Sequence, residues 1–296
     1  MSARDLPPVT GVDEDGLVVR EGDLARVPPA FARVVAAFED AARTAFDADP
    51  AAHGGALHSL YLYGSIPRGT AQVGTSDLDG QVLLTREPTD DDRALVRRLE
   101  ADLGRRHPEV SHVGILLDSF EALTHPADRH DGGFHLRVLC TPLWGPDAGE
   151  LVAPHRVDLD LARGVQTGWR EAIARLRERV EEVASGPRAE EQEHDQHDHE
   201  QQEREVCRAT GRRLARVAFS WLAPRWGGWS SDPGVMREVV TALEPDWAEP
   251  MAEAVELGWG GRTDLAAAHR LLDGWARELQ TRGDELGTAS PGTLDP

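Results

Sequence analysis

Two short apolar runs, Leu57–Tyr63 and Leu78–Leu84, constrain the fold of this chain more than any other feature of its sequence. Each run has the length of a single β-strand, and each is bounded by glycine or by polar residues. A turn that contains glycine and proline joins the first run to the second. The pattern therefore predicts two buried strands that lie close together in the chain.

Helices and further strands surround this pair. Apolar residues at helical spacing predict amphipathic helices over Pro29–Ala48 and Asp90–Arg106. The pattern also predicts a third strand over Val110–Leu117, and His135–Leu139 is a candidate for a fourth strand. Strands that alternate with helices indicate an α/β domain, which we place at residues 29–157.

From about Asp158 the pattern becomes wholly helical, which predicts an all-helical domain over residues 158–280. The segments with helical spacing are Leu159–Val183, Glu205–Trp221, Met236–Leu243, Trp247–Leu257 and Leu265–Leu279.

Three polar segments are predicted to lack stable packing. They are an acidic, proline-bearing lead-in at residues 1–28, a loop at 185–204 rich in acids, glutamine and histidine, and a tail at 281–296. Segments of this composition cannot bury enough apolar surface to offset the entropy of ordering. We therefore expect a flexible lead-in, a disordered loop inside the helical domain and a disordered tail.

Composition excludes several classes of function. All 32 basic residues are arginine, so a Schiff-base lysine and a lysine-dependent phosphate loop are both excluded. The 52 acids give a formal net charge of −20, which argues against stable binding to nucleic acid or to an anionic membrane. Cys140 and Cys207 are too few and too far apart for a disulfide scaffold or a zinc–thiolate site. With no signal-peptide pattern at Met1–Pro8, we expect a cytoplasmic protein.

The chemistry is concentrated between the two predicted strands. Gly64 and Ser65 follow the first strand, where a glycine lets a phosphate approach the backbone closely. Asp77 and Asp79 flank Leu78, and residues two apart in a strand project to the same side. Two neighbouring carboxylates repel each other unless a cation lies between them, and hard oxygen ligands suit Mg²⁺.

This segment, YLYGSIPRGTAQVGTSDLDGQVLL, resembles the nucleotidyltransferase superfamily with a DNA-polymerase-β-like core. The signature of that superfamily is a hydrophobic residue, Gly-Ser, a spacer and Asp-x-Asp. The two-domain layout is closest in style to bacterial aminoglycoside nucleotidyltransferases of the streptomycin and spectinomycin type. The resemblance implies an α+β fold, in which a polymerase-β-like α/β core with a small mixed sheet precedes an all-helical domain.

The resemblance also implies an activity, the transfer of a nucleoside monophosphate from an NTP, ATP being favoured, to a hydroxyl of a small molecule. An aminoglycoside-like antibiotic is the favoured acceptor. Gly64 and Ser65 would hold the triphosphate, and Asp77 and Asp79 would bind Mg²⁺. Which NTP is used, which acceptor is modified and which oligomeric state the chain adopts all stay open.

Further positions are assigned to nucleotide binding. Arg68 and Ser76 lie between the two halves of the motif and are typical of small bacterial members of the superfamily. Arg212 belongs to a stripe of arginines spaced by four, with Arg208 and Arg216, that either clamps phosphate or forms a solvated helix face.

A pair of tryptophans offers a candidate substrate pocket. Trp226 and Trp229 lie in a glycine-rich segment, where they either line a substrate pocket or belong to the core.

The third carboxylate of the superfamily pattern is missing from its expected place. That place is Gly114, with His112 two residues earlier on the same face. The nearest acids in the sequence are Glu109 and Asp118, and face parity with Gly114 favours Asp118 as the third catalytic acid.

Two other functions stay open beside the favoured one. The chain could transfer the nucleotide to a protein hydroxyl, although its large helical domain speaks against that hypothesis. It could also be a degenerate member that binds a nucleotide or a partner without turnover, which the glycines at positions 80 and 114 favour.

Overall fold

The computed structural model describes residues 6–47, 55–186 and 194–288. They divide into two compact units, which are described separately. The α/β unit is Leu17–His155, and the helical unit combines the chain up to Gly16 with the chain from Arg156 onward.

A four-stranded mixed sheet forms the centre of the α/β unit. Its strands are β1 (Leu57–Tyr63), β2 (Leu78–Leu84), β3 (Val113–Ser119) and β4 (Thr141–Trp144), in the spatial order β3-β2-β1-β4. β1 runs antiparallel to β2 and β4, whereas β2 and β3 are parallel. The mixed sheet and the many helices confirm the predicted α+β fold class. β1 and β2 have the predicted bounds, and β3 begins three residues later than predicted.

One face of the sheet carries the main apolar core of the unit. Leu60 and Leu62 of β1 and Val82 of β2 point to this face, and all three side chains are fully buried. Helices α1 (Ala32–Asp47) and α3 (Asp90–Arg106) supply residues to the same core. The apolar residues on this face of the strands are explained by their burial against α1 and α3.

Helix α3 begins at a capping box. The Thr89 hydroxyl accepts a hydrogen bond from the Asp92 amide, and the Asp92 carboxylate accepts one from the Thr89 amide at 2.7 Å. Arg86 donates to the same carboxylate at 2.6 Å. These hydrogen bonds, with Arg86 contributing most, lower the pKa of Asp92 to about 2. The cap therefore fixes the start of the helix at the predicted residue.

The opposite face of the sheet is covered by short elements. They are α4 (Phe120–Thr124), α5 (Gly132–Phe134) and a π-helix over His135–Leu139. The prediction of a fourth strand over His135–Leu139 is therefore wrong. The Cys140 amide donates to the His135 carbonyl, five residues back, which is the hydrogen bond of a π-helix. The strand that pairs with β1 on this side is β4 instead.

The predicted flexible lead-in, residues 1–28, is packed where the structure describes it, so that prediction is wrong for residues 6–28. The Val18 amide donates to the His155 carbonyl at 2.8 Å, and the Asp23 amide donates to the Pro67 carbonyl at 2.9 Å. Residues 17–28 of the lead-in are therefore part of the α/β unit. Residues 1–5 lie outside the described part of the chain.

The helical unit contains seven α-helices in its described residues, with α8 at its centre. They are α6 (Leu159–Gly164), α7 (Trp169–Ala184), α8 (His194–Trp226), α9 (Pro233–Leu243), α10 (Ala248–Trp259), α11 (Leu265–Asp273) and α12 (Trp275–Thr288). None of the helices in the described part of the chain combines the length and the apolar character needed to cross a bilayer.

Five 3₁₀ turns and one further short helix complete the described elements of both units. They are Leu24–Arg26, Pro29–Phe31, Pro126–Asp128, Ala148–Leu151, Pro245–Trp247 and the helix α2 (Ser65–Arg68).

Two predictions of disorder are corrected here. The loop predicted at residues 185–204 is helical from His194 onward, because α8 begins there, and residues 187–193 lie outside the described part of the chain. The tail predicted at 281–296 is helical to Thr288. Glutamate, glutamine and arginine are good helix formers, which explains how such polar sequence extends the two helices.

Helices α8 and α10 cross at a pair of glycines. A Cβ at Gly211 would lie less than 3.0 Å from the Ala254 carbonyl oxygen and 2.6 Å from the Gly258 nitrogen. A Cβ at Gly258 would lie 3.0 Å from the Arg212 nitrogen. The two backbones therefore approach more closely than any side chain allows.

We expect Gly211→Ala to destabilise the chain by roughly 1–3 kcal/mol, because the added methyl group must push two backbones apart. The matched control is Gly104→Ala in the exposed part of α3, where a Cβ meets nothing within 4 Å. That control should stabilise by about 0.5–1 kcal/mol, since alanine is the better helix former. Urea unfolding of both variants measures the difference, and equal effects would contradict the close crossing.

Burial of His155 predicts a pH-dependent stability. Its imidazole is fully buried, its Nε2 donates to the Arg129 carbonyl at 2.8 Å, and burial lowers its pKa to about 4. Between pH 6.5 and 4 the unfolded chain binds this proton and the folded chain does not, so stability falls as the pH falls through that range. Below pH 4 both states are protonated and the loss levels off.

We expect His155→Gln to remove up to about 3 kcal/mol of that pH dependence. The measurement is the free energy of unfolding of both proteins from pH 7 to pH 4. Parallel profiles would show that the imidazole does not titrate in this way.

Candidate active site

The Gly-Ser corner lies at the end of β1. Gly64 follows Tyr63 directly and has φ +80° and ψ −152°, a conformation that only glycine adopts readily. Ser65 then begins the short helix α2, which ends at Gly69, also at positive φ. The backbone can therefore turn sharply at both ends of α2, because a glycine lies at each end.

The Asp79 carboxylate lies against Gly64. Asp79 is opposite Tyr63 in the register of β1 and β2. A Cβ at residue 64 would lie less than 3.0 Å from Asp79 Oδ2. The carboxylate thus occupies the space that a side chain at the corner would need, and the two halves of the sequence motif are direct neighbours in space.

Asp77 immediately precedes β2. Its Oδ1 accepts a hydrogen bond from the Ser111 hydroxyl at 2.7 Å, and the side chain is partly exposed. Leu78, between the two acids, is fully buried in the core on the other face of the sheet. The strand alternation therefore turns Asp79 away from the core.

Gly114 is the neighbour of Asp79 on the other side. β3 pairs Gly114 with Asp79, and a Cβ at residue 114 would lie 3.9 Å from both Asp79 Oδ1 and His112 Nε2. This is ordinary van der Waals contact, so the position has room for a side chain. Gly114 therefore lies beside Asp79 in the sheet and contributes no carboxylate there.

The structure does not bring Asp118 to this position. Asp118 is opposite Leu83 and four residues beyond Gly114, which corresponds to about 13 Å along β3. Its Oδ2 accepts a hydrogen bond from Gln81 Nε2 at 3.2 Å. Face parity identified the correct side of the sheet, but the strand register separates Asp118 from Asp79.

Glu109, the alternative acid, is held by its neighbour. Its Oε1 lies 2.9 Å from Nδ1 of His107, and its backbone carbonyl accepts a hydrogen bond from the Gly74 amide. These contacts make Glu109 part of the loop that precedes β3.

Asp77 and Asp79 are chemically suited to a magnesium ion, because both are carboxylates. Across the described ranges 6–47, 55–186 and 194–288, no group of three or more His, Cys, Asp or Glu side chains is arranged to hold a metal ion. Mg²⁺ is commonly bound by one or two carboxylates together with substrate phosphates rather than by an all-protein cage. Asp77 and Asp79 supply two carboxylates of this kind, and magnesium binding by them stays a prediction.

The other residues predicted to bind nucleotide have structural partners. Arg68 Nη1 lies 3.4 Å from Oε2 of Glu21, and both side chains are largely buried. The Ser76 hydroxyl accepts a hydrogen bond from the Gln72 amide at 2.9 Å, which closes the loop before Asp77. Both positions support the shape of the corner, and their contact with a nucleotide stays a prediction.

Arg212 lies in the helical unit. Its Nε donates to the Gly258 carbonyl at 2.9 Å, and its guanidinium lies 5.6 Å from the centre of the Trp259 ring. Arg216 approaches the same ring at 5.8 Å. These contacts attach part of the predicted arginine stripe to α10, and phosphate binding by Arg212 stays a prediction.

The interpretation of Trp226 and Trp229 as pocket residues is wrong. Both side chains are buried, and both contact the Phe219 ring edge to face, at 6.0 and 5.6 Å. Trp226 Nε1 donates to the Pro7 carbonyl at 2.9 Å. They belong to the core of the helical unit.

Sequence reasoning missed Gln81 and Tyr63. Gln81 is fully buried on the same face as Asp79, and the ring of Tyr63 meets the ring of His135 edge to face at 4.9 Å. A polar residue inside an otherwise apolar run was the available signal for Gln81, because such a residue needs a partner on its own face.

Comparisons with known proteins give one structural likeness to report. No protein-family model matches the sequence, and no curated protein matches it. A solved structure of spectinomycin adenyltransferase AAD(9) from Enterococcus faecialis, with ATP and spectinomycin, matches with a TM-score of 0.46 and 13% identity. The match covers 86% of this chain and 99% of that one. That protein is an adenyltransferase of the type that the motif resembles, and at this TM-score the likeness carries no conclusion about activity.

We expect Gly64→Ala to destabilise the chain more than Gly74→Ala, by roughly 1–3 kcal/mol. Both glycines have positive φ, +80° and +74°, so an alanine is strained at either position. Only the alanine at 64 collides with the Asp79 carboxylate, since a Cβ at 74 meets nothing within 4 Å. Chemical denaturation measures both variants, and equal losses would show that the corner does not contact Asp79.

Proposed function

We propose that this chain is a magnesium-dependent nucleotidyltransferase that moves a nucleoside monophosphate, AMP from ATP being favoured, to a hydroxyl of a small molecule. The observation that carries the proposal is the position of the Asp79 carboxylate directly against Gly64. Gly64 lets a phosphate group approach the backbone, and the Asp79 carboxylate beside it can bind the cation that accompanies the phosphate.

Each residue of the site has a distinct role in this proposal. Gly64 and Ser65 would let the triphosphate approach the backbone, because Gly64 itself carries no side chain. Asp77 and Asp79 would hold Mg²⁺, which when bound neutralises phosphate charge. The Ser111 hydroxyl orients the Asp77 carboxylate through its 2.7 Å hydrogen bond. The work of the protein is positioning and charge complementarity rather than covalent catalysis.

The charge of the chain favours a cationic acceptor. A net charge of −20 attracts cations over a distance of about a Debye length. An aminoglycoside-like antibiotic combines hydroxyl groups with protonated amines, so it suits both the reaction and the charge. We therefore propose antibiotic modification as the biological role.

Gly114 favours a second candidate function, nucleotide binding without turnover. The acceptor hydroxyl must lose a proton during transfer, and a carboxylate next to Asp79 would accept it. Residue 114 has no side chain to do so. Under this alternative the site binds ATP and Mg²⁺ but releases no pyrophosphate.

We expect Asp79→Asn to reduce transfer at least 100-fold, because it removes a cation ligand while keeping the shape of the side chain. The assay follows the label from α-labelled ATP with Mg²⁺ and a panel of aminocyclitol and aminoglycoside antibiotics. Asp40→Asn is the matched control, since it removes the same charge from an exposed position of α1. It should retain full activity.

The product identifies which function holds. Label on an antibiotic supports the proposal, and label on a polypeptide would favour protein modification instead. ATP binding that depends on Asp79 but yields no pyrophosphate with any acceptor would establish the second candidate. Equal activity of wild type and Asp79→Asn would refute the assignment of Asp79 as a cation ligand in the active site.

A further inference from the structure

The imidazole of His112 borders the space that Gly114 leaves empty beside Asp79. His112 directly precedes β3, and the residue is exposed. Alternation along the strand places it on the same face as Gly114. A Cβ at residue 114 would lie 3.9 Å from both Nε2 and Cδ2 of His112. The edge of the imidazole ring that carries Nε2 therefore faces the position from which the third carboxylate is missing.

Asp79 borders the same space with its carboxylate. Its Oδ1 is also 3.9 Å from the Cβ position at residue 114. Apart from the chain neighbours of Gly114, the three heavy atoms nearest to that position all belong to His112 and Asp79. A group placed there would be in van der Waals contact with the imidazole and with the carboxylate at once.

Hydrogen bonds attach the backbone of His112 to the segment that carries Asp77 and Asp79. The His112 carbonyl accepts a hydrogen bond from the Leu78 amide, between the two acids, at 2.9 Å. The preceding residue, Ser111, donates its hydroxyl to Asp77 Oδ1 at 2.7 Å. His112 is therefore held in place relative to both acids, and such positioning reduces the entropy lost when a catalytic group meets the reacting atoms.

An imidazole can accept a proton where a carboxylate is missing. A neutral imidazole nitrogen accepts a hydrogen bond as a carboxylate oxygen does, and histidine is the side chain that enzymes use most often as a general base. The two acids nearest in the sequence are placed less well. Asp118 lies about 13 Å along β3 from Gly114, and the Glu109 carboxylate is paired with His107.

We propose that His112 is the general base of the transfer reaction, in place of the missing third carboxylate. The inference rests on the proposed function, because it concerns the same reaction at the same site. It also removes the argument that Gly114 gives for nucleotide binding without turnover, since the proton acceptor comes from the residue two positions earlier in the chain.

The proposed step is a single displacement at phosphorus. The acceptor oxygen forms a bond to the α-phosphorus of the nucleotide, while the bond from that phosphorus to the oxygen that bridges to the β-phosphate breaks and pyrophosphate leaves. The acceptor hydroxyl gives its proton to Nε2 of His112. The imidazolium then releases this proton to solvent, to which the residue is exposed.

The test measures transfer of the label from α-labelled ATP, with Mg²⁺, to spectinomycin and to the other antibiotics of the panel. We expect His112→Gln to lower kcat at least 100-fold with KM for ATP within twofold of wild type, because an amide does not take up the proton. The matched control is His269→Gln, which removes an exposed histidine from α11. It should keep kcat within twofold of wild type.

Two further measurements separate a proton acceptor from a cation ligand and from a packing residue. Added imidazole should raise the rate of His112→Ala at least 10-fold and leave wild type unchanged, because free imidazole can take the proton instead of the side chain. Electron paramagnetic resonance measures Mn²⁺, which suits the same oxygen ligands as Mg²⁺, in the presence of α,β-methylene-ATP. The Mn²⁺ affinity of His112→Gln should lie within twofold of wild type.

Three results would overturn the general-base role. They are a kcat of His112→Gln within threefold of wild type, a rate of His112→Ala that imidazole does not restore, and a Mn²⁺ affinity that falls at least 10-fold in His112→Gln. The last result would make His112 a cation ligand.

Failure of this proposal can be distinguished from failure of the proposed function. If wild type transfers AMP and His112→Gln transfers it equally well, the general base is refuted and the enzyme stands. If wild type binds ATP in a way that depends on Asp79 but transfers AMP to no acceptor, turnover and the general base are refuted together and nucleotide binding stands. Loss of transfer in both Asp79→Asn and His112→Gln, with loss of Mn²⁺ binding only in Asp79→Asn, supports both proposals.

Discussion

The candidate site depends on the absence of a side chain at Gly64. Antiparallel pairing of β1 and β2 places Tyr63 opposite Asp79, so the carboxylate reaches the end of β1 just where the chain turns. The turn needs positive φ, and the carboxylate needs the space of the missing Cβ. One glycine satisfies both needs, and any other residue would separate the corner from the acid. The glycine of the motif is therefore required for packing against Asp79 as well as for the approach of a phosphate.

Elements defined by local signals could be predicted from the sequence. β1 and β2 follow from continuous apolar runs that end at glycine or polar residues, and α3 follows from its apolar stripe. Thr89 and Asp92 form the capping box that begins α3, a signal contained within four residues. In each case the information that determines the element lies inside the element or at its ends.

Elements that depend on a distant partner could not be predicted. His135–Leu139 alternates apolar and polar residues as a strand does, yet β4 pairs with β1 and leaves this segment to coil. The lead-in is ordered through backbone hydrogen bonds, such as that from Val18 to His155, and composition carries no information about such bonds. The start of α8 at His194 shows the opposite case, since a polar segment needs little burial when it extends a long helix.

The same distinction explains Asp118. Alternation in a strand determines the side on which a residue lies, and the sequence therefore identified its face correctly. Distance along that face depends on the register of β3 against β2, which pairs Asp79 with Gly114 and Asp118 with Leu83. The resulting separation of about 13 Å keeps the Asp118 carboxylate out of contact with Asp79. Two residues on one face of a strand can therefore lie too far apart to share one metal ion or one reacting atom, and alternation alone does not identify a third catalytic acid.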